Sequence, residues 1–484
     1  MTELVSGKPV SQSKVPPKYI LLDGGTVITM NQTRDVISDG AVLIENDRII
    51  KVGKKSQVEQ YVFERRLGPE RLHTGDSVVM PGLVCNHTHL FQAIMRGLGE
   101  NFMVNNWVAK LIFPMSLQMG EEEAYYSAML AQMEMLRTGS TCFADSHYVN
   151  KDKRCMDGLA RAVKDCGMRG MLVRATQNVR AFEIFPTDFL EDYNTIESES
   201  VRCIETYHNT LNGRLRVSLE SITEIDCDEK ALHLLYDIAA HYKTGFHMHA
   251  AEAMDEIISI CADKGKRVVE YLEQQRLLGK NTLLAHCIWI TPHEQRLLAE
   301  SGTKVAHNPV SNLMLGDGVA PILELREWGV DVGLGVDGGA SNNSQDMFEA
   351  MKLCLLQHRA KWLDAGVLKP EDVFEMATIT SAKTLRWDEE IGSLEEGKKA
   401  DVTVCSRNQL QFTPDVKPIS SLVLSANGAN VDTVIVDGEI LLKDKKFTKL
   451  DEEALLKEIN KVACRMIDRA GIGALRTDGR FNYI

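Results

Sequence analysis

The sequence contains no long apolar run and no excess of basic residues. No apolar stretch approaches the roughly 18 residues that a membrane-spanning helix needs. Lys and Arg number 55 against 68 Asp and Glu, which gives a formal net charge of -13. Binding to nucleic acid depends on clustered basic side chains that contact phosphates. We therefore expect neither a membrane protein nor a nucleic-acid-binding protein.

The cysteines follow neither a disulfide framework nor a redox motif. The eleven residues are scattered along the chain and form no CxxC pair, so we expect reduced, mostly buried thiols. The N-terminal run MTELVSGKPVSQSKVPPKY also lacks the apolar core of a signal peptide. Together these absences predict a cytoplasmic protein.

The length and the order of the apolar patterns predict the fold class. A chain of 484 residues is too long for one ordinary domain, and its composition, 44% hydrophobic and 25% charged, is that of a globular protein. Apolar strands alternate with amphipathic helical stretches, which predicts an α/β protein with a parallel sheet. Eight such units favour a (β/α)8 TIM barrel. An open doubly wound sheet is the alternative, but no GxGxxG follows the first strand. The predicted strands are VMPGLV (79–84), TCFAD (141–145), RGMLVRA (169–175), RLRVSLE (214–220), KTGFHMH (243–249), NTLLAHC (281–287), GTKVAHN (302–308) and DVGLGVD (331–337).

Five side chains able to bind a metal lie at the carboxyl ends of these strands. His87 and His89 follow the first strand, and residues i and i+2 of an extended chain point to the same face. His249, His286 and Asp337 end the fifth, sixth and eighth strands. Those strand ends form the catalytic face of a parallel barrel. A single strand-end histidine is usually structural, but the joint pattern predicts a metal site, and its donor atoms suit Zn²⁺ or Fe²⁺.

Long motifs around these residues resemble a known superfamily. They read PGLVCNHTHL, FHMHAAE, LLAHC, AHNPVSNLMLG and GVDGGASNN. The chain resembles the amidohydrolase superfamily, within it the branch of methylthioadenosine/S-adenosylhomocysteine deaminases and s-triazine hydrolases such as atrazine chlorohydrolase. The resemblance runs from about residue 18 to residue 445.

The resemblance implies a ligand set and a domain organisation. One catalytic metal would be bound by His87, His89, His249 and Asp337, and His286 would bond the metal-bound water. The β-rich segments at the two ends of the chain would form one composite β-sandwich domain beside the barrel. The implied organisation is a flexible tail (1–17), the first part of the sandwich (18–80), the metal-dependent barrel (81–386), the second part of the sandwich (387–445), and a C-terminal helix and tail (446–484).

The residue types suggest how such a site would work. A divalent metal lowers the pKa of water, His286 can orient that water, and Asp337 can take its proton. Glu252, three residues after His249, can protonate a ring nitrogen and then assist the leaving amine, as a glutamate that is not a ligand does in zinc deaminases. A carboxylate at a helix start is ordinarily solvated, but beside this histidine cluster we predict a catalytic role for Glu252.

The remaining predicted site residues are candidate substrate contacts. Trp107 can form an aromatic wall, although helix packing is an equally good interpretation. His307 and Asn312, in the AHNPVSN stretch, can line the site or be structural. Glu220 ends the fourth strand and can support a ligand. That strand, RLRVSLE, has no Lys, and the resemblance associates a carboxylated Lys there with two-metal sites, so a single metal is expected.

Two positions depart from the deaminase relatives. Those enzymes usually carry a Glu after the Pro of a WL…P stretch, where it contacts ribose hydroxyls, and Ser116 occupies that position here. They also carry a His-containing segment after the fourth strand, where LESITEIDC has none. Each lost polar contact would cost about 1–3 kcal/mol of discrimination. A free amino-heterocycle is therefore at least as good a candidate substrate as an adenosine derivative.

The sequence thus predicts a metal-dependent aminohydrolase, with Zn²⁺ as the expected metal and Fe²⁺ as the alternative. It would replace an exocyclic amine of a purine, pterin, pyrimidine or s-triazine with oxygen and release ammonia. The alternatives are a methylthioadenosine/S-adenosylhomocysteine-type nucleoside deaminase, an s-triazine chlorohydrolase or alkylaminohydrolase, and a non-enzymatic scaffold. The resemblance also implies a homodimer or a higher homo-oligomer.

Overall fold

A computed structural model describes residues 17–181 and 183–477 of the chain. The tail predicted for residues 1–17 lies outside the described residues except for Pro17, and so does the end of the C-terminal tail. All eleven cysteines lie in the described part, without a disulfide between any two of them, and nine are buried. No helix in the described ranges is long and apolar enough to cross a membrane.

The strands of the described chain form three sheets. In chain order they are β1 (Tyr19–Asp23), β2 (Thr26–Ile28), β3 (Val36–Ser38), β4 (Gly40–Glu45), β5 (Arg48–Lys54), β6 (Glu70–His73), β7 (Ser77–Pro81), β8 (Leu83–His89), β9 (Ser140–His147), β10 (Arg169–Thr176), β11 (Leu215–Ser221), β12 (Phe246–Ala250), β13 (Thr282–His286), β14 (Lys304–His307), β15 (Val332–Leu334), β16 (Asp337–Gly338), β17 (Val402–Ser406), β18 (Val431–Val436), β19 (Glu439–Lys443) and β20 (Lys446–Phe447).

The α-helical segments lie mostly between the barrel strands. They are α1 (Lys55–Glu64), α2 (Val104–Trp107), α3 (Phe113–Ser116), α4 (Glu121–Arg137), α5 (Cys155–Cys166), α6 (Tyr193–Tyr207), α7 (Thr210–Gly213), α8 (Glu229–His241), α9 (Met254–Lys264), α10 (Val268–Gln274), α11 (Pro292–Ser301), α12 (Pro309–Met314), α13 (Ile322–Glu327), α14 (Met347–Trp362), α15 (Pro370–Glu375), α16 (Ser381–Thr384), α17 (Pro418–Leu424) and α18 (Glu452–Ala470). The last of them, α18, packs on α4, and Arg469 donates to Glu123 over 2.6 Å.

The central sheet closes on itself as a TIM barrel. Its strands β8 to β15 pair in parallel and in sequence, and β16 pairs with β8 through Asp337 and Thr88. The stretch from β15 to β16 is therefore one interrupted eighth strand that joins β14 to β8. The predicted fold class is confirmed, and the closure excludes the open doubly wound sheet.

Two details of the predicted strands are wrong. The first one, 79–84, spans two elements, because β7 ends at Pro81 in an outer sheet and β8 begins at Leu83 in the barrel. The Gly82 N–H between them donates to Asp401 O over 3.1 Å. His87 and His89 therefore lie inside the first barrel strand and not after it. The eighth strand is interrupted at residues 335–336, where the backbone turns to place Asp337.

The two outer sheets combine strands from both ends of the chain. One has the order β5-β4-β1-β6, and the other has the order β20-β19-β18-β17-β7-β2-β3. Their facing apolar side chains, among them Ile20, Ile44, Val79, Val402 and Ile435, share one core cluster. This is the small sandwich expected beside the barrel. The residue boundaries assigned to the domains from the sequence stay predictions.

A buried ion network joins this sandwich to the barrel. Arg169, on β10, donates to both carboxylate oxygens of Asp401 over 2.8 and 3.0 Å, and its side chain is fully buried. Lys399 contacts Asp437 at 2.9 Å and Asp47 at 2.6 Å. Arg169 is the first residue of β10, so the network lies at the amino end of the barrel and leaves the carboxyl end free for a site.

Candidate functional site

His87 and His89 present their imidazoles to the centre of the barrel at the carboxyl end of β8. Both are buried. His89 Nδ1 donates to the carbonyl of Ser146 over 2.6 Å. That bond places the proton on Nδ1 and leaves the Nε2 lone pair directed at the barrel axis. His87 Nε2 is buried and has no hydrogen-bond partner within the described residues.

His249 faces the same point from β12. Its Nε2 lies 3.3 Å from His89 Nε2. On the other side of the ring, Nδ1 lies 3.1 Å from Glu220 Oε1 and 3.1 Å from the Ile222 carbonyl. Two acceptors at Nδ1 again place a proton there and turn Nε2 inward. Glu220, at the end of the fourth barrel strand, thus holds the ring of His249 in orientation, as the sequence suggested.

Asp337 closes the cluster from the interrupted eighth strand. Its backbone adopts a φ of 60°, and Thr88 Oγ1 donates to its carbonyl over 2.8 Å. Ser341 Oγ donates to Oδ2 over 2.9 Å, and Ser311 Oγ donates to the same oxygen. Oδ1 is left 3.1 Å from His89 Nε2 and 3.5 Å from His87 Nε2.

The electrostatics keep Asp337 ionised. Burial opposes ionisation, but the contacts to His87 and His89 hold the pKa of its carboxyl well below the usual value. The donor atoms of His87, His89 and His249 lie within 4.8 Å of one another, and so do those of His87, His286 and Asp337. Imidazole nitrogens and a carboxylate oxygen turned to one point repel each other unless protons or a cation lie among them. This set therefore fits a divalent metal ion.

His286 and Glu252 form the side of the cluster nearest the cavity. His286 Nδ1 donates to Asn312 Oδ1 over 2.8 Å, and Asn308 Nδ2 lies 3.4 Å from Nε2. Glu252 Oε1 lies 3.6 Å from His286 Nδ1. Burial lowers the pKa of His286 to about 4 and raises that of Glu252 to about 7. Near neutral pH the imidazole is thus neutral and the carboxyl can carry a proton.

Glu256 fixes the backbone that carries Glu252. Its carboxylate accepts the N–H groups of Ala251, Glu252 and Ala253 over 2.7, 2.8 and 3.4 Å. This is a capping arrangement at the start of α9. The short segment between β12 and α9 is therefore held with Glu252 directed at His286.

A cavity of about 200 Å³ opens above the cluster. Its floor includes His89, His249, His286 and Asp337. Its walls are mainly apolar and aromatic: Val104, Trp107, Val108, Ile112, Phe113, Ile184, Phe185, Phe189, Ile222 and Ile225. Trp107 Nε1 donates to the Ala340 carbonyl over 3.0 Å, which holds the indole in place. Apolar walls with a few convergent polar groups are typical of a site for a small organic molecule.

The other predicted substrate contacts lie elsewhere. Trp107 lines the cavity, but Ser116, His307 and Asn312 are not among its lining residues. Ser116 is fully buried at the end of α3. His307 accepts from Gln357 of α14 over 2.8 Å, so its ring belongs to the strand–helix packing. Asn312 instead bonds His286, one step behind the cavity.

Several functional candidates were missed from the sequence. Ser311 and Ser341 bind Asp337, Asn308 contacts His286, and Glu256 fixes Glu252. Three of them lie in quoted motifs, AHNPVSN and GVDGGAS, but a motif does not tell which side chain meets which. For Glu256, the signal was a Glu at the third position of a helix, as in a capping box.

The sequence matches the amidohydrolase family from residue 78 to residue 441. The chain belongs to the amidohydrolase family. This amidohydrolase is 32% identical over 450 residues to the 5'-deoxyadenosine deaminase of Methanosarcina mazei, covering 93% of this chain and 99% of the relative. It is 33% identical over 442 residues to the 5-methylthioadenosine/S-adenosylhomocysteine deaminase of Desulfitobacterium hafniense, covering 90% and 96%.

Solved structures share the architecture of this amidohydrolase. An adenosine deaminase from Xanthomonas campestris with bound zinc superposes with a TM-score of 0.86 at 25% identity, covering 94% of this chain and 100% of the other. The atrazine chlorohydrolase of Arthrobacter aurescens, complexed with zinc, gives 0.85 at 23% identity and covers 92% and 100%, a likeness of fold. This amidohydrolase is a metal-dependent enzyme that hydrolyses carbon–nitrogen bonds, and the predicted family and enzyme class are confirmed.

Proposed function

We propose that this amidohydrolase is an aminohydrolase, which replaces an exocyclic amine of a nitrogen heterocycle with oxygen and releases ammonia. One observation carries the proposal: a carboxyl able to hold a proton, Glu252, lies beside a neutral imidazole and a metal-type cluster at the floor of an aromatic cavity. Hydrolysis at a ring carbon needs both an activated water and an acid for the ring nitrogen. The deaminase names of the relatives support the same chemistry.

We assign His87, His89, His249 and Asp337 as the residues that would hold one divalent ion. Their inward lone pairs and the partnerless His87 Nε2 support the assignment. When bound, the ion supplies Lewis-acid activation of the hydrolytic water. The expected metal is Zn²⁺, in line with the zinc in two related structures, and Fe²⁺ is the alternative. Elemental analysis of the purified enzyme tests both choices.

In this proposal Asp337 accepts a proton from the hydrolytic water, and His286 orients that water. Asp337 accepts one proton from it at Oδ1, the oxygen that the serines leave free. His286 directs Nε2 at the same space because Asn312 holds the proton on Nδ1. Glu252 gives a proton to the ring nitrogen next to the carbon under attack. The water oxygen bonds to that carbon, the carbon–nitrogen bond breaks, and the amine leaves as ammonia with the proton that Asp337 accepted. The second proton of the water returns to Glu252, so the ring carbon becomes a carbonyl and both carboxyl groups regain their starting states.

The first substrates to test are adenine-ring compounds. The two relatives described above are named as deaminases of 5'-deoxyadenosine and of methylthioadenosine and S-adenosylhomocysteine. Ser116, one of the two positions that depart from the deaminase relatives, does not line the cavity, so its difference from their Glu does not exclude a nucleoside. We therefore give the nucleoside alternative equal rank with a free amino-purine, pterin, pyrimidine or s-triazine. Hydrolytic dechlorination of s-triazines is the second candidate function, because the fold is shared with atrazine chlorohydrolase.

The test is product release from a substrate panel by zinc-loaded enzyme. The panel contains 5'-deoxyadenosine, methylthioadenosine, adenine, a pterin with an exocyclic amine, and an aminotriazine. Atrazine is added to detect release of chloride or alkylamine. We expect ammonia from at least one ring amine. Chloride or alkylamine release without ammonia would favour the triazine alternative, and no product from any compound would contradict the proposal.

Two further proposals concern the whole protein. We propose that it works in the cytoplasm, which the unpaired cysteines of the described chain support. We also retain the homodimer or higher homo-oligomer that the family resemblance implies. Fractionation of the native cells tests the first, and sedimentation of the purified enzyme at several concentrations tests the second.

A further inference from the structure

Apart from the histidines of the cluster, the ionisable side chains that line the cavity are acidic. Five carboxylates face it, and no Lys or Arg is among the lining residues of the described chain. Glu252 and Asp337 belong to the proposed chemistry. The other three are Asp226, Asp255 and Glu256.

Of these three, only Asp226 combines a buried position with a free oxygen. The Glu256 carboxylate is occupied by the three backbone N–H groups at the start of α9. Asp255 is exposed at the mouth, where Asn105 donates to it over 3.1 Å. Asp226, in the segment after β11, is 6% exposed. It is therefore the acidic group available to a molecule inside the cavity.

Local contacts hold Asp226 in one orientation. Its Oδ2 accepts the Thr223 N–H over 3.1 Å and the Thr223 hydroxyl over 2.7 Å. Its own carbonyl accepts the N–H groups of Asn178 and Val179 over 2.9 and 3.0 Å. Within the part of the chain that the structure describes, no donor reaches Oδ1. One carboxylate oxygen is thus fixed and without a partner.

Gln177 presents a second acceptor on the neighbouring wall. Its Nε2 donates to the Tyr148 carbonyl over 3.1 Å, which fixes the amide so that Oε1 is the other atom. Oε1 is buried and has no hydrogen-bond partner among residues 17–181 and 183–477. Gln177 lines the cavity and is 3% exposed. A buried acceptor without a partner is costly unless a ligand satisfies it.

Arg180, in the loop that follows Gln177, does not offset the charge of Asp226. Arg180 Nε donates to the Phe185 carbonyl over 3.0 Å, and its terminal nitrogen donates to the Glu183 carbonyl. Its guanidinium is therefore hydrogen-bonded within its own loop and does not pair with Asp226. A phosphate or carboxylate placed beside Asp226 would find no Lys or Arg among the described lining residues to pair with, in a site whose apolar walls screen charge poorly.

We propose that Asp226 determines substrate specificity: together with Gln177 Oε1, it accepts hydrogen bonds from an amino, ammonium or hydroxyl group of the substrate and rejects substrates with an anionic substituent. This inference rests on the proposed function, because the ring must present its amine to the cluster below. It narrows the substrate class to neutral or cationic heterocycles that carry a donor away from the reacting amine.

The test uses three adenine-ring probes that differ in the 5' substituent. They are 5'-amino-5'-deoxyadenosine, which is cationic, 5'-deoxyadenosine, which is neutral, and adenosine 5'-monophosphate, which is anionic. Dissociation constants by calorimetry and kcat/KM from ammonia release are measured with the metal-loaded full chain. We expect the cationic probe to bind best and the anionic probe worst. Asp226→Asn should reduce the cationic-to-anionic ratio by at least about tenfold, the size of a charge-assisted hydrogen bond.

Two control variants show whether the preference for cationic probes depends on the carboxylate of Asp226 or on any negative charge near the cavity. Asp255→Asn removes the same charge at the mouth and should leave the order of the probes unchanged. Asp226→Glu keeps the charge and should keep the order. Asp226→Asn retains an oxygen for Thr223, and its melting temperature checks the fold.

The readouts also separate this inference from the proposed function. Binding in the expected order without ammonia release supports the role of Asp226 and counts against deamination. Ammonia release with an unchanged ratio in Asp226→Asn overturns the inference and leaves deamination standing. Equal binding of all three probes, tighter binding of the monophosphate, or no binding of any probe overturns it as well.

Discussion

Glu252 is the residue on which the proposed chemistry depends most. Its carboxyl lies 3.6 Å from His286 and is not part of the cluster assigned to the metal. Glu252→Gln keeps the size of the side chain but removes the proton donor. We expect kcat to fall by roughly 100- to 10,000-fold, the usual contribution of a general acid or base, with metal content and melting temperature unchanged. A kcat within tenfold of the wild type would contradict the role.

The same residue predicts the alkaline limb of the pH profile. Burial raises the pKa of Glu252 to about 7, and the acid must carry its proton in the free enzyme. The protonated fraction is nearly complete well below pH 7 and falls as pH rises through 7. We therefore expect kcat/KM to decline above pH 7, towards tenfold per unit. A profile that stays flat from pH 7 to 9 would exclude Glu252 as the acid.

At the residue scale the sequence predicted which side chains gather at one end of the barrel, but not which ones line the cavity. His87, His89, His249, His286 and Asp337 lie on strands, where side-chain direction follows from a period of two and all carboxyl ends meet at one face. Ser116 and His307 were placed by motif position alone. Ser116 is at the end of α3, and His307 packs against α14. The direction of such side chains depends on tertiary packing, which the spacing of residues in the sequence does not predict.

The segment between β12 and α9 holds the acid Glu252 in position, because Glu256 binds its backbone N–H groups. Glu256→Ala should free the three backbone N–H groups and let Glu252 move. We expect a loss of about 1 kcal/mol in the free energy of unfolding, typical of a lost cap, and a lower kcat with little change in KM. Denaturant unfolding and steady-state kinetics measure the two effects.

A matched control lies on the next helix. Glu270 accepts the Arg267 N–H over 3.2 Å at the start of α10 and does not line the cavity. Glu270→Ala should cost a similar free energy of unfolding and leave kcat unchanged. Equal kcat losses in both variants would show that the effect of Glu256 is general destabilisation and not positioning.

The elements themselves were mostly predictable, and the two errors have a common cause. VMPGLV is one apolar run, so periodicity cannot show that Pro81 ends a strand of the sandwich and Leu83 begins a strand of the barrel. In DVGLGVD the run is likewise continuous, but the chain bends at residues 335–336. The first break follows from the pairing of β7 with β17, and the second from the pairing of β16 with β8. Both pairings join residues far apart in the sequence, so a local pattern cannot predict them.

At the scale of the whole molecule, the buried ion network should contribute strongly to the integrity of the fold. Asp401→Asn leaves the fully buried Arg169 guanidinium without its main charge partner. We expect a loss of roughly 3–5 kcal/mol in the free energy of unfolding, typical of a broken buried pair. The exposed pair of Lys461 and Glu458 is the control, since Lys461→Met should cost less than about 1 kcal/mol. Urea unfolding measures both variants, and similar small losses would contradict the role of the network.

The pairing of β7 with β17 sets an order of events during synthesis. β7 can pair with β2 as soon as it is made, but its other edge, where Met80 pairs with Thr403, stays unpaired until nearly the whole chain has left the ribosome. At ordinary translation rates that interval is roughly tens of seconds. Throughout it, β7 has one open edge and an unfilled apolar face, the conditions under which strands of different chains associate. The nascent enzyme is thus most vulnerable to aggregation after its catalytic residues have been made and before its last strands arrive.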